Sequence, residues 1–164
     1  MIKAGILTIS DKGARGERED LSGDAVREGL EAAGMKVTRT AIVPDEAERI
    51  RAALIEWSDR DGVDLILTTG GTGFSRRDVT PEATASVIER PAPGIAEAIR
   101  AEGMKKTPHA ILSRGVAGIR GGTLIINLPG SPKAVRESLD AVMTALIHGI
   151  EVLKGQAVEC ATRV

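Results

Sequence analysis

The sequence predicts an α/β fold: a three-layer, open and mostly parallel sheet with helices on both faces, plus a small β-hairpin. Three apolar runs, Ala4 to Ser10, Lys36 to Val43 and Val63 to Thr68, alternate with two segments of helical period, Ser22 to Ala33 and Asp45 to Asp59. That order is βαβαβ. Within the third run, Val63-Asp64-Leu65-Ile66-Leu67 is apolar on both faces but for Asp64, as expected of a parallel strand covered by helices on each side, which places it at the sheet centre.

In the first helix Leu21, Ala25, Val26, Leu30 and Ala33 recur at three- and four-residue spacing, with Ser22 as the expected N-cap and Gly34 as a stop. In the second, Ile50, Ala53, Leu54 and Trp57 repeat that spacing. A short helix opens at Thr80-Pro81-Glu82, where proline suits the first turn because its missing N–H would have no partner there. A further helical stretch runs from Gly94 to Lys105, and Pro91-Ala92-Pro93 reads as a kink between these two helices. Gly115 to Ile119 and Thr123 to Leu128 flank Gly121-Gly122 and read as a hairpin. A final helix runs from about Lys133 to Leu153, with Val135, Leu139, Val142, Leu146 and Ile150 on its apolar face.

The 164 residues fit one domain, 1–164, with no internal repeat or linker. A chain of this length buries about 68–70% of its unfolded surface, so it needs no disulfide or structural metal. A net charge of -1 gives no global reason to bind nucleic acid or an anionic membrane. Trp57 and Phe74 are the only aromatic residues, which argues against a base-stacking platform. The lone Cys160 excludes an internal disulfide and reads as incidental. The first apolar run is too short and wrongly flanked for a signal peptide, and no stretch approaches the ~20 residues of a membrane span. The expected location is cytoplasmic.

The most informative stretch, Thr68-Thr69-Gly70-Gly71-Thr72-Gly73-Phe74-Ser75-Arg76-Arg77-Asp78, begins where the central strand ends. Ligands of open α/β sheets bind beyond the carboxyl ends of strands. Its glycines let consecutive N–H groups point at phosphate oxygens, while Thr69, Thr72 and Ser75 add hydroxyls. It is neither a Walker A loop nor a dinucleotide fingerprint, since no Gly-Lys-Ser/Thr follows and Arg76 stands where a third glycine is needed. A turn that merely reverses the chain is the plain alternative.

Asn127-Leu128-Pro129-Gly130-Ser131-Pro132-Lys133 also joins an apolar strand to a helix, whose N-terminus offers amides to an anion. Its plain alternative is an ordinary connection capped by Ser131. Asp45 follows the second strand and could face the same edge as Asp78. Two carboxylates near phosphates suit magnesium, although Asp45 could equally be a helix N-cap. Ser10 and Asp11 end the first strand on that edge, with a turn-forming role as the alternative. His109 and His148 lack metal-ligand spacing and read as structural. Arg15 to Asp20 reads as a surface loop.

Taken in order, Ser10-Asp11, Val43-Pro44-Asp45, Thr69-Gly70-Gly71-Thr72-Gly73, Arg77-Asp78-Val79-Thr80-Pro81, Leu112-Ser113-Arg114 and Asn127-Leu128-Pro129-Gly130-Ser131-Pro132 resemble the MogA/MoaB family of molybdenum cofactor biosynthesis over nearly the whole chain. The resemblance implies a molybdopterin-binding fold, usually a homotrimer, with a hexamer as the alternative. It implies that ATP and molybdopterin react with Mg2+ to give adenylyl-molybdopterin and pyrophosphate, and that the product passes to a molybdenum insertase. Asp45 and Asp78 are the carboxylates it implies for magnesium and reaction geometry. Ser10, Asp11, Thr69, Gly70, Gly71, Thr72, Gly73, Arg77, Ser113, Arg114, Pro129, Gly130 and Ser131 are the ligand-binding set it implies. The Ser10 to Gly23 region departs most from the family pattern, so the roles of Asp20 and Ser22 stay open. The competing reading is a molybdopterin-binding protein of the MoaB type with little or no adenylyltransferase activity.

Overall fold

The computed structural model describes residues 1–156, so Cys160 lies outside the described residues. The chain runs β1 (Lys3–Ile9), α1 (Asp11–Ala14), α2 (Leu21–Ala32), β2 (Lys36–Val43), α3 (Ala47–Asp59), β3 (Leu65–Thr69), α4 (Thr80–Ala85) and β4 (Arg90–Pro91). It continues through α5 (Pro93–Met104), a 3-10 turn (Pro108–Leu112), β5 (Ala117–Arg120), β6 (Thr123–Leu128) and α6 (Pro132–Leu153). One six-stranded sheet has the order β2-β1-β3-β6-β5-β4, in which β2, β1, β3 and β6 are parallel and β5 runs antiparallel to both of its neighbours, β6 and β4. The three-layer, mostly parallel sheet is therefore as the sequence reading has it, with the run around Leu65 to Leu67 inside the sheet.

Alternate strand residues feed two cores. Ala4, Ile6, Leu65, Leu67, Leu124 and Ile126 pack against α2, α5 and α6 through Val26, Leu30, Ile99, Leu139 and Leu146. Leu7, Ile9, Ile66 and Ile125 pack on the other face against Ile50, Leu54, Trp57 and Ala83 of α3 and α4. Strands buried on both faces explain why their sequences are continuous apolar runs and do not alternate with polar residues. Among the described residues no helix is long and apolar enough to cross a membrane.

Three local readings are corrected. Asp20, not Ser22, caps α2: its Oδ1 accepts the Gly23 amide at 2.9 Å while Oδ2 accepts the Thr8 hydroxyl at 2.8 Å. Pro91-Ala92-Pro93 is not simply a kink, because Arg90 and Pro91 form an edge strand opposite Ile119 and Gly118. Proline is tolerated there because an edge strand has one side free of ladder bonds. Asp64 lies just outside β3, where its carboxylate accepts the Lys3 amide at 2.7 Å and pairs with Lys154 Nζ at 2.9 Å. Asp64 thus sits at the start of the strand, with both oxygens satisfied.

Asn127 ties the sheet centre to α4. Its Nδ2 donates to the hydroxyls of Thr68 (3.0 Å) and Thr84 (2.9 Å), and its Oδ1 accepts the Val116 amide at 3.1 Å, with Asn127, Thr68 and Thr84 all buried. Asn127→Ala strands those groups without water, so we expect a loss of about 2–4 kcal/mol in unfolding free energy, measurable by urea titration.

Candidate active site

Parallel pairing decides where the loops meet. Ile9 lies opposite Val43, Thr8 opposite Thr69, and Thr69 opposite Leu128, so the carboxyl ends of β1, β2, β3 and β6 form one row. The segments that follow them surround a cavity of about 650 Å³ lined by Ser10, Asp20, Asp45, Gly70, Gly71, Asp78, Gly130 and Ser131, among others.

The Gly-rich loop is shaped for close approach. Gly70 and Gly71 have φ of 96° and 67°, values that side chains rarely tolerate. A Cβ at Gly70 would collide with the Ile9 carbonyl, and one at Gly71 with the Thr80 hydroxyl. That hydroxyl donates to the Gly70 carbonyl at 2.9 Å and fastens the loop to α4. A Cβ at Gly71 would also stand 3.2 Å from Asp45 Oδ1, and one at Gly73 would stand 3.0 Å from Asp78 Oδ2. Both carboxylates therefore lie against the glycine backbone.

Asp45 does not cap α3, whose first turn follows Glu46 without a side-chain cap. Its Oδ2 instead accepts the Asp11 amide at 3.0 Å, while the Asp45 amide donates to Asp11 Oδ1 at 3.0 Å. Burial raises the Asp45 carboxyl above its ordinary range, and the neighbouring charges of Asp11 and Asp78 add to that, while the Asp11 amide and Arg77 act the other way. Asp11 is held below its ordinary range, first by its hydrogen bonds from the Arg77 guanidinium and then by the Asp45 amide. Asp78 Oδ2 accepts the Ser75 amide at 2.9 Å, which fixes the end of the Gly-rich loop.

A second cavity of about 290 Å³ lies on the other side of Gly130. Thr72, Gly73, His109, Ser113, Pro129 and Glu137 line it, with Ile99 and Leu112 giving it an apolar wall. Gly130 lines both cavities, and Gly70 to Gly73 runs between them.

Several residues of the expected ligand-binding set have other partners. The Thr69 hydroxyl is buried and donates to the Pro129 carbonyl at 2.6 Å, pinning the two loops together. Arg114 lines neither cavity: its guanidinium donates to the carbonyls of Gly73 and Asp78 at 2.8 Å each and pairs with Glu82. Its amide donates to the Thr72 carbonyl at 2.9 Å, so this residue is the loop's brace. Ser131 caps α6 by accepting the Ala134 amide at 3.2 Å and lines the main cavity as well, so both of its readings hold. Ser10 likewise caps the short α1 through the Gly13 amide at 3.0 Å.

Sequence reasoning passed over one wall. Arg18, Glu19, Asp20 and Ser22 line the main cavity, although Arg15 to Asp20 reads as a surface loop. The available signal was position alone, since this loop follows the carboxyl end of β1.

Residues 5–149 match the family model described as a probable molybdopterin binding domain. The chain belongs to this family. It is 44% identical to a molybdopterin adenylyltransferase of Helicobacter pylori, over 94% of this chain and 89% of that one. The molybdopterin adenylyltransferase of Escherichia coli K12 is 40% identical, over 99% and 91%. Among solved structures, the molybdopterin biosynthesis enzyme MoaB of Thermus thermophilus superposes with a TM-score of 0.91 at 53% identity, covering 97% of this chain and 100% of that one. Family membership places the chain in molybdenum cofactor biosynthesis.

The raised carboxyl of Asp45 has a consequence for stability. A carboxyl held above its ordinary range binds protons more readily folded than unfolded, so stability falls as pH rises from the unfolded to the folded value. The penalty is complete above the folded value. We expect Asp45→Asn, whose Oδ1 can still accept the Asp11 amide, to raise the melting temperature at pH 7.5 by about 1–3 °C, with the gain shrinking in acid. Calorimetry at about pH 7.5 and about pH 4 checks this.

Proposed function

We propose that this protein is a molybdopterin adenylyltransferase that joins ATP and molybdopterin. A terminal phosphate oxygen of molybdopterin forms the new bond to the α-phosphorus of ATP, the bond from that phosphorus to the bridging β oxygen breaks, and pyrophosphate leaves. The observation that carries this reading is the meeting of two cavities at Gly130, with Asp45 and Asp78 both in the larger one beside Gly70 and Gly71. An enzyme that condenses two phosphorylated molecules needs two adjoining seats.

The nucleophile and the leaving group both belong to the substrates, so the protein's work is to align and neutralise two anions. Backbone amides of the Gly-rich loop and of the α6 N-terminus suit phosphate oxygens. Asp45 and Asp78 fit Mg2+, which commonly takes one or two carboxylates and fills its shell with water and substrate phosphate. A cation between these carboxylates would relieve the like-charge repulsion that bears on Asp45. Bound magnesium would offset the charge that builds on the phosphates during transfer.

The same reading includes a homotrimer, a cytoplasmic location and delivery of the product to a molybdenum insertase, as the family resemblance implies. The second reading, which the family resemblance implies, is a protein of the MoaB type that binds molybdopterin with little adenylyl transfer; the Thermus relative carries that name.

Pyrophosphate release from ATP separates the two. We expect release with Mg2+ to rise at least about tenfold when molybdopterin is added, and to vanish with chelator. In Asp78→Asn, which keeps an acceptor for the Ser75 amide, molybdopterin should still bind while release falls by about 100-fold or more. Binding without stimulated release by the parent protein would establish the second reading.

A further inference from the structure

Asp11 and Arg77 belong to the ligand-binding set implied by sequence, yet neither lines the main cavity. They face an open cleft behind it, together with Arg49, Glu46 and Pro44. Asp11 engages Arg77 through its carboxylate and Asp45 through both its carboxylate and its amide. Arg77 Nη2 donates to Asp11 Oδ1 at 2.8 Å and Arg77 Nε to Asp11 Oδ2 at 3.0 Å, a two-point fork. Asp11 and Asp45 exchange amide-to-carboxylate hydrogen bonds at 3.0 Å in each direction.

We propose that Asp11 and Arg77 are positioning residues, a clasp that sets Asp45 and Asp78 relative to each other, and that neither is a ligand contact. This rests on the adenylyltransferase reading for its kinetic consequence, though not for its geometry. The reciprocal Asp11–Asp45 bonds join the ends of β1 and β2. The fork then joins that unit to residue 77, immediately before Asp78, on the segment that leaves β3. Three strand ends are thereby locked at the residues that matter. Asp78 is held from its other side, where Arg114 takes its carbonyl and the Ser75 amide takes its carboxylate.

Exposed ion pairs contribute little to stability, so stability alone gives weak reason for this arrangement. A bidentate guanidinium–carboxylate fork does fix orientation, and small misplacements of reacting groups lower rates steeply. The Asp11 carboxylate accepts three hydrogen bonds from protein donors, from Arg77 twice and from the Asp45 amide once. Little of it is left for a ligand.

The test uses the full chain and the variants Asp11→Asn, Arg77→Gln, Arg77→Lys and the double variant Asp11→Asn with Arg77→Gln. Steady-state pyrophosphate release gives kcat and KM for ATP and molybdopterin, and amide hydrogen exchange reports on the segment containing Asp45. We expect Asp11→Asn and Arg77→Gln each to lower kcat about tenfold to 100-fold with both KM values within about threefold. Arg77→Lys should recover part of the loss, because an ammonium can hold one oxygen of the pair. The double variant should fall no further than the worse single one, since both act as one unit. The Asp45 segment should exchange faster in both single variants while their melting temperatures stay within about 3 °C of the parent.

A raised KM at unchanged kcat in Arg77→Gln, with Asp11→Asn silent, would make Arg77 a ligand contact and overturn the clasp. Unchanged exchange around Asp45 in both variants would overturn it as well. If the parent chain shows no molybdopterin-stimulated release, the adenylyltransferase reading fails separately and the exchange measurement alone decides the clasp.

Discussion

Parallel pairing through β2, β1, β3 and β6 is the constraint on which the rest of the molecule depends. Strands that run the same way must end on the same side, so four loops of unrelated sequence are delivered to one rim. Crossover helices follow from that pairing, because a chain cannot return to the start of a parallel strand without crossing a face of the sheet. The helices cover the inner strands on both faces, and ligands of such sheets bind beyond the strand ends. Fold and site location share one cause.

At that rim two opposing demands are met together. Close approach of backbone to ligand requires glycines in left-handed conformations at 70 and 71, which by themselves leave a loose loop. Stiffness is restored from outside by Thr80 on the Gly70 carbonyl, Thr69 on the Pro129 carbonyl and Arg114 on the carbonyls of Gly73 and Asp78. Charge is handled similarly. Asp45 is half-buried and near two other carboxylates, an arrangement that disfavours its ionised form and is tempered by an amide and by Arg77. Gathering like charge beside a Gly-rich loop is unfavourable on its own and would be relieved by a cation between the carboxylates.

Much of this was legible in the residue order. Apolar runs separated by helical periods identify the strands, and glycine clusters identify loops that gather at the strand ends. The short α1, the β4 edge strand and the cap at Asp20 were not legible. Each depends on a partner distant in the chain or on a single side chain: Ile119 for Arg90, Thr8 for Asp20. Arg114 shows the same limit. An arginine after a serine near a family motif suggests an anion contact, and only the fold reveals the two carbonyls and the carboxylate that occupy it.

Residue order alone carries the class of fold, the family and the positions of the loops at the strand ends, because these follow from periodicity and from short motifs that are local in the polymer. Tertiary structure alone decided which polar groups face the cavity and which face each other. That Asp45 opens toward Gly71 while Asp11 turns to Arg77 depends on contacts across 34 and 66 residues of chain. Hydrogen-bond direction between such distant groups has no periodic trace in sequence. It is set only when the strands pair and their ends come into register.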